Sequence, residues 1–205
     1  MNYETLASRE AVERAIAALG NRGVGAELVS NRVEALERVK ALIPQNASVM
    51  NGSSRTLEEI GFVDYLKSGK HGWKNVHEEI LAEKDSVKQA VLRKQAVLSD
   101  YYLGSVHALA ETGEMVIASN SGSQLPHIVF TSPNLIFVAG AQKIVPDLDT
   151  AIRRVREYVL LLEDKRMKDE GMGGSAISKL LIFEREPAFL GRKVHVIFVQ
   201  EKLGF

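Results

Sequence analysis

An alternation of helical and strand-like apolar patterns in the first third of the chain constrains its fold most. Apolar residues recur at helical spacing in residues 12–19 and 32–42. A short apolar segment follows each of these helices, at residues 26–29 and 47–50. Such alternation is typical of α/β domains, in which helices cover the faces of a sheet. The sequence therefore predicts an α/β fold.

Strand-like segments follow one another more closely later in the chain. Val106 to Ala110 and Met115 to Ala118 flank a Thr-Gly turn, which predicts an antiparallel hairpin over residues 106–118. We predict further strands at residues 128–130, 135–139, 179–183 and 194–199, and helices at residues 75–103 and from Asp147 or Asp149 to about residue 168. Hairpin strands added to helix–strand units favour a mixed sheet flanked by helices. We treat residues 1–205 as a single domain, with residues 1–30 as a helical extension and first strand.

Composition excludes several functional classes. The chain has 26 basic and 26 acidic residues, so no net charge attracts it to nucleic acid or to an acidic membrane. It has no cysteine, which excludes disulfides, cysteine-ligated iron–sulfur clusters and cysteine nucleophiles in this chain. The five histidines lack metal-ligand spacing, and we predict neither a metal nor a cofactor. No signal-peptide pattern and no membrane-length apolar run is present, so the expected location is the cytoplasm.

The segment Asn51 to Thr56 is a candidate anion site. Gly52, Ser53 and Ser54 lie between an apolar strand and a helix start, where backbone N–H groups and the helix dipole favour an anion. Arg55 adds a positive charge. The alternative is that a serine only caps the helix and that Gly52 only permits the turn. The segment matches neither the Walker nor the Gly-x-Gly-x-x-Gly pattern, so it does not indicate nucleotide binding.

Glu111 is the candidate catalytic residue. It directly precedes the turn residues Thr112 and Gly113, at the end of a predicted strand. A carboxylate held there could act as a general base or as a nucleophile. The alternative is a glutamate that only hydrogen-bonds the hairpin backbone. We expect Glu111 to face the same cleft as the Gly52 turn, because open α/β sheets bind ligands where strand ends diverge.

Three further segments carry candidate ligand-binding residues. Each also has a structural explanation, as an exposed loop, a helix-to-strand connection or a surface lysine. The candidates are Asn120 in the polar loop 119–124, Gly173 and Gly174 with Lys179 in the glycine-rich connection, and Lys143 after the strand 135–139.

The chain also resembles the lactate-utilisation (LUD) domain family, of the LutC type, from about Arg32 to the C-terminus. The resemblance rests on four motifs, of which the Ala-Glu-Thr-Gly hairpin is the most specific: Asn51 to Gly61, Ala108 to Gly113, Pro133 to Gly140, and the tail from Gly173 through Val199. It implies a Rossmann-like fold similar to those of ribose-phosphate isomerase, glucosamine-phosphate deaminase and the CoA transferases. It also implies a part in oxidising L-lactate to pyruvate alongside iron–sulfur partner subunits.

Two departures from the family pattern bear on function. Larger members carry a cysteine-rich cluster region, whereas this chain has no cysteine and cannot hold a cluster of its own. The hairpin has Glu114 where the family usually has threonine. We therefore expect a non-redox subunit or accessory factor of lactate utilisation. The alternatives are a stand-alone enzyme, or a binding module, for an anionic metabolite such as a phosphosugar, CoA ester or hydroxy acid.

Overall fold

The computed structural model describes residues 2–205, so Met1 of the predicted N-terminal extension lies outside the described range. Ten strands and eight main helices form in this range. The helices are α1 Arg9–Asn21, α2 Arg32–Leu42, α3 Arg55–Glu59, α4 Phe62–Lys67, α5 Val76–Ala82, α6 Ser86–Gln95, α7 Leu148–Arg154 and α8 Leu160–Asp169. The strands are β1 Gly25–Val29, β2 Ser48–Asn51, β3 Lys74–Asn75, β4 Tyr101–Gly104, β5 Ala108–Ala110, β6 Met115–Ser119, β7 Asn134–Gly140, β8 Ile144–Val145, β9 Lys179–Phe183 and β10 Lys193–Val199.

The larger sheet has six strands in the order β1-β10-β7-β4-β2-β3, and all its pairings are parallel. Its central strands are buried on both faces, which explains the nearly continuous apolar runs at residues 135–139 and 194–199. One apolar cluster packs α1 and the second sheet on one face, and another packs α2, α3 and α4 on the other. This architecture confirms the predicted α/β class.

The smaller sheet has four strands in the order β8-β5-β6-β9. Strands β5 and β6 pair antiparallel around the predicted turn, where Gly113 has a φ of 99° that favours glycine. This confirms the hairpin. β8 pairs parallel with β5, so this smaller sheet is mixed. The sequence predicts one mixed sheet, whereas the protein has a parallel sheet and a separate mixed sheet.

Helix starts follow the capping chemistry of the sequence. The side chains of Ser8, Asn31, Ser54 and Asp147 each accept a backbone N–H in the first turn of the helix that follows. Asp147 rather than Asp149 begins the long C-terminal helix, in which one π-helical turn, Val155–Val159, joins α7 to α8.

Two predicted segments are wrong. Residues 128–130 form part of a π-helical turn, His127–Thr131, and not a strand. Phe130 is 66% exposed, so this apolar run is not a buried strand. Residues 75–103 are not one helical region, because they end in β4, which lies between β7 and β2 in the larger sheet. The preceding charged helices, α5 and α6, dominate the pattern there and conceal the short strand.

Candidate functional site

A cleft of about 460 Å³ opens at the carboxyl edge of the larger sheet. Segments that follow three neighbouring parallel strands line it: residues 52–56 after β2, residues 105–107 after β4, and Lys143 after β7. The end of β6, the loop 119–124 and helix α8 form the opposite wall. Ligands of open α/β sheets bind at this edge, which makes the cleft the candidate site.

Six of the predicted site residues line the cleft: Gly52, Ser53, Ser54, Arg55, Asn120 and Lys143. The turn offers fewer free donors than the sequence suggests. The N–H of Gly52 donates to the Leu103 carbonyl at 3.1 Å, and the hydroxyl of Ser54 accepts the N–H of Leu57 as the cap of α3. Arg55 is paired with Glu58 at 2.7 Å.

Glu111, Thr112 and Gly113 do not line the cleft, so the expected placement of Glu111 is wrong. The carboxylate of Glu111 lies 2.7 Å from the guanidinium of Arg14, on the side of α1. The cause is the direction of β6, whose carboxyl end at Ser119 lines the cleft while the hairpin turn precedes its amino end. Strands rise about 3.3 Å per residue, so the amino end of β6, where the turn begins, is on the order of 13 Å from Ser119.

The glycine-rich connection lies beside the cleft. Its neighbours Met172 and Ser175 line the cleft, whereas Gly173, Gly174 and Lys179 do not. A side-chain carbon at Gly174 would lie 2.5 Å from the carboxylate of Asp164, so this glycine permits close packing against α8. The ammonium of Lys179 donates to the carbonyl of Asn120 at 3.2 Å and so stabilises the polar loop 119–124.

Among the residues that the sequence places in the site, Lys143 has the most strongly shifted pKa. Its side chain is buried, and its Nζ atom lies 2.9 Å from Thr56 Oγ1 and 3.0 Å from Ser105 Oγ. No carboxylate of residues 2–205 lies within 4.0 Å of Nζ. Burial, together with the positive charge of Arg154, lowers the pKa of Lys143 to about 7, although Glu59 opposes this shift.

Arg154 is a second buried cation near the cleft. Its side chain is fully buried, and it donates to the carbonyl of His107 at 2.5 Å. The guanidinium lies 5.2 Å from the ring centre of Tyr158. No residue of the described chain forms an ion pair with it. Burial lowers its pKa to about 10, so Arg154 stays charged at neutral pH and contributes a positive field to this region.

His107 lines the cleft between these two cations and is neutral. Its Nδ1 atom accepts the N–H of Ala118 at 3.2 Å, which places its remaining proton on Nε2. Burial, Lys143 and Arg154 together lower the pKa of His107 to about 3. The ring is therefore a fixed hydrogen-bond donor at neutral pH.

Sequence reasoning missed His107, Ser105 and Thr56 as parts of the site. Ser105 and His107 follow β4, a strand that the residue pattern conceals. Had β4 been recognised, both would have been found at the carboxyl end of a parallel strand. Thr56 lies within the quoted anion motif, but its contact is to Lys143, 87 positions away, and no local pattern shows that pairing.

The C-terminal tail closes one side of the cleft. Leu203 is buried, and its carbonyl accepts the side-chain amide of Gln142 at 2.8 Å. The N–H of Gly204 donates to Glu59 at 2.8 Å. Phe205 lines the cleft, and a side-chain carbon at Gly204 would approach Lys143 Nζ to 3.2 Å. The tail therefore covers one side of the buried amine.

No group of three or more histidine, aspartate or glutamate side chains in residues 2–205 is arranged to hold a metal ion. Over the same range, no helix combines the length and apolar character that a membrane crossing requires.

The fold and the cleft together define an α/β protein with a ligand-sized, cationic site at the carboxyl edge of a parallel sheet. The family model described as the LUD domain matches residues 12–172, and the chain belongs to this family. A search of curated proteins gave no match.

A solved structure has a similar fold. It is a crystal structure of a DUF162 family protein from Deinococcus radiodurans, with a TM-score of 0.57 and 14% identity, and the match covers 95% of this chain and 99% of that chain. At this identity the likeness extends to the fold alone.

Proposed function

We propose that this LUD-domain protein takes part in lactate utilisation, as a non-redox subunit or accessory factor in the oxidation of L-lactate to pyruvate. Membership of the LUD family supports the pathway. The chain has no cysteine, so electrons would have to pass to iron–sulfur partner subunits. In this role the chain binds a small anionic metabolite in its cleft.

The observation that carries the proposal is a pair of buried basic groups. Lys143 lines the cleft and is partly protonated near pH 7, and Arg154 is charged and donates to the carbonyl of His107, a residue that lines the cleft. Lys143 and Arg154 have no carboxylate partner in residues 2–205. A buried charge without a counter-charge is costly, and a bound carboxylate or phosphate would offset part of that cost. The hydroxyl of Ser53 and the Nε2–H of His107 add neutral donors on the same walls.

A second candidate is a larger anion on the isomerase and CoA-transferase scaffold, such as a phosphosugar or a CoA ester. The cleft of about 460 Å³ is in the range that accommodates ligands much larger than lactate. Its serine-rich loop, residues 119–123, supplies hydroxyls of the kind that bind phosphate. In this reading Lys143 replaces Glu111 as the candidate reactive group, because Glu111 lies outside the cleft.

Thermal shift and calorimetric titration would test both candidates. The panel is L-lactate, pyruvate, ribose 5-phosphate, glucosamine 6-phosphate and acetyl-CoA. We expect at least one of these anions to stabilise the protein. We expect Lys143→Met to weaken its binding by roughly ten- to hundredfold, because the variant removes the protonated form of the amine, which a bound anion would stabilise. Lys165→Met is the matched control, since Lys165 is an exposed lysine paired with Asp169 on α8.

The outcomes separate the two candidates. Stabilisation by lactate or pyruvate favours lactate utilisation, and stabilisation by the phosphorylated compounds alone favours the isomerase-like reading. If no anion binds, or if both lysine variants bind equally well, the cleft is not an anion site. Co-purification with cysteine-rich subunits from cells grown on lactate would test the proposed partners.

A further inference from the structure

The hydrogen bonds around Lys143 indicate whether its amine is neutral or protonated in the fold. The hydroxyl of Thr56 is positioned to donate to the Leu203 carbonyl at 3.4 Å, and that of Ser105 to the Val106 carbonyl at 3.2 Å. Each hydroxyl proton is then directed away from Lys143. Both oxygens are left to accept hydrogen bonds from Nζ, at 2.9 Å and 3.0 Å.

This arrangement matches a neutral amine. A neutral amine has two N–H groups and one lone pair, whereas an ammonium has three N–H groups. The two hydroxyl oxygens satisfy two N–H groups, and no other atom of residues 2–205 accepts a hydrogen bond from Nζ. Lys143 is also only 3% exposed. An ammonium would keep one N–H without a partner in a buried position, which is unfavourable.

The charges around Lys143 act in the same direction. Arg154 repels a proton on Nζ, and burial raises the cost of the charged form, while Glu59 favours it more weakly. Lys143 lines the cleft, so its amine is the candidate nucleophile there. The neighbouring His107 is neutral and contributes no base of comparable strength.

We propose that Lys143 forms an imine with the carbonyl carbon of a small 2-oxo acid bound in the cleft. The Nζ lone pair attacks the carbonyl carbon and forms a C–N bond. The carbonyl oxygen then leaves as water, and both hydrogens of that water come from Nζ, so no oxidant or reductant is needed. The imine is released by the reverse addition of water.

The substrate class follows from the two halves of the site. An amine nucleophile requires a carbonyl. The charged Arg154, which donates to the carbonyl of the lining residue His107, contributes a positive field that favours a carboxylate on the same ligand. A 2-oxo acid carries both groups on adjacent carbons, and it is the class of compound that oxidation of a 2-hydroxy acid produces. The inference therefore rests on the proposed function and deepens it.

Reductive trapping would test this inference on the full chain. The protein is incubated with pyruvate or glyoxylate and sodium cyanoborohydride, which reduces an imine to a stable amine, and the product is mapped by peptide mass spectrometry. We expect an adduct at Lys143, at a level more than about tenfold above that at the exposed Lys165. The reason is that burial keeps a large share of the Lys143 amine neutral near pH 7, where an ordinary lysine is almost fully protonated.

Two controls sharpen the experiment. Lys143→Arg carries a positive charge at this position but has no nucleophilic amine, and it should lose the specific adduct while the surface background remains. Propanal, an aldehyde without a carboxylate, should label Lys143 several-fold less than glyoxylate under the same conditions. Equal labelling by propanal would overturn the assignment to 2-oxo acids.

Failure of this inference can be told from failure of the proposed function. If pyruvate shifts the melting temperature but no adduct forms at Lys143, the imine is excluded and anion binding stands. If labelling at Lys143 does not exceed that at Lys165, the nucleophile assignment is also overturned. If no anion binds in calorimetry, the proposed function itself fails. The comparison of Lys143 with Lys165 is made within the parent protein, so the test remains valid even if Lys143→Arg folds poorly.

Discussion

Arg14 and Glu111 form an ion pair of 2.7 Å that joins α1 to the hairpin of the smaller sheet on the face away from the cleft. The backbone N–H of Glu111 also donates to the Val145 carbonyl at 2.8 Å. Glu111, in the Ala-Glu-Thr-Gly hairpin motif, therefore makes structural contacts, although the sequence predicts a catalytic role for it.

Glu111→Gln should leave ligand affinity unchanged and lower stability slightly. The Arg14 side chain is 60% exposed, so solvent screens the pair and its loss should cost no more than about 1 kcal/mol. Urea unfolding measures the stability, and calorimetry with the anion that binds best measures the affinity. Arg14→Gln should have the same effect. A loss of affinity above about tenfold in Glu111→Gln would return this residue to the binding site.

Lys143 should make stability depend on pH in the alkaline range. Its pKa falls from 10.5 to about 7 on folding, so between these values the unfolded chain binds a proton that the folded chain does not. The free energy of unfolding should therefore rise with pH across this window, and below about pH 7 the cost of the buried charge is present in full.

Comparison with Lys143→Met isolates that contribution. The methionine variant carries no charge at this position, so near pH 7 it should be more stable than the parent protein. The gap between the two should narrow toward about pH 10, as measured by urea unfolding at both pH values. A gap that is constant or that widens with pH would show that the buried amine is not neutral in the fold.

Gly113→Ala should destabilise the hairpin by more than about 1 kcal/mol. The φ of Gly113 is 99°, and a side-chain carbon there would lie 2.8 Å from Arg22 Cδ and 3.1 Å from the backbone of Ala18. Gly20→Ala is the control, because Gly20 lies in α1 with nothing within 4 Å and should stabilise the helix by about 0.5–1 kcal/mol. Thermal melts of both variants would show shifts of opposite sign if this account holds.

The purified chain alone should not oxidise lactate. It has no cysteine to hold a cluster and no dinucleotide fingerprint, so no electron carrier is evident. The measurement is dye reduction with L-lactate, without partner subunits and without added flavin. Turnover above background under these conditions would contradict the proposed non-redox role.

The alternation of helices and strands predicted the larger sheet well, because its strands and helices have uniform patterns and clear caps. Residues 32–42 match the observed α2, which packs on the larger sheet, and the predicted strand 194–199 matches β10 within one residue. The prediction failed where an element is short, or where tertiary contacts rather than the local sequence pattern determine whether a segment is a helix or a strand. β4 is four residues long and follows charged helices, and the apolar run at 128–130 is exposed on a π-helical turn.

The candidate site was only partly predictable for a related reason. The Gly52 turn and Lys143 each follow a strand, so strand ends alone place them at the cleft. The position of Glu111 depends on which end of β6 faces the cleft, and that depends on how the two sheets pack. The low pKa of Lys143 depends on Ser105, Thr56 and Arg154, which are distant in sequence. No local pattern contains that information.

The path of the tail has a practical consequence for anyone preparing this protein. Because Phe205 lines the cleft and Gly204 lies against Lys143, any residues that follow, native or added, would leave the fold beside the ligand entrance. A purification tag fused there would compete with the ligand for the same space and add its own charges to the site. A tag at the N-terminal end leaves that entrance open, because residues 2–8 do not line the cleft.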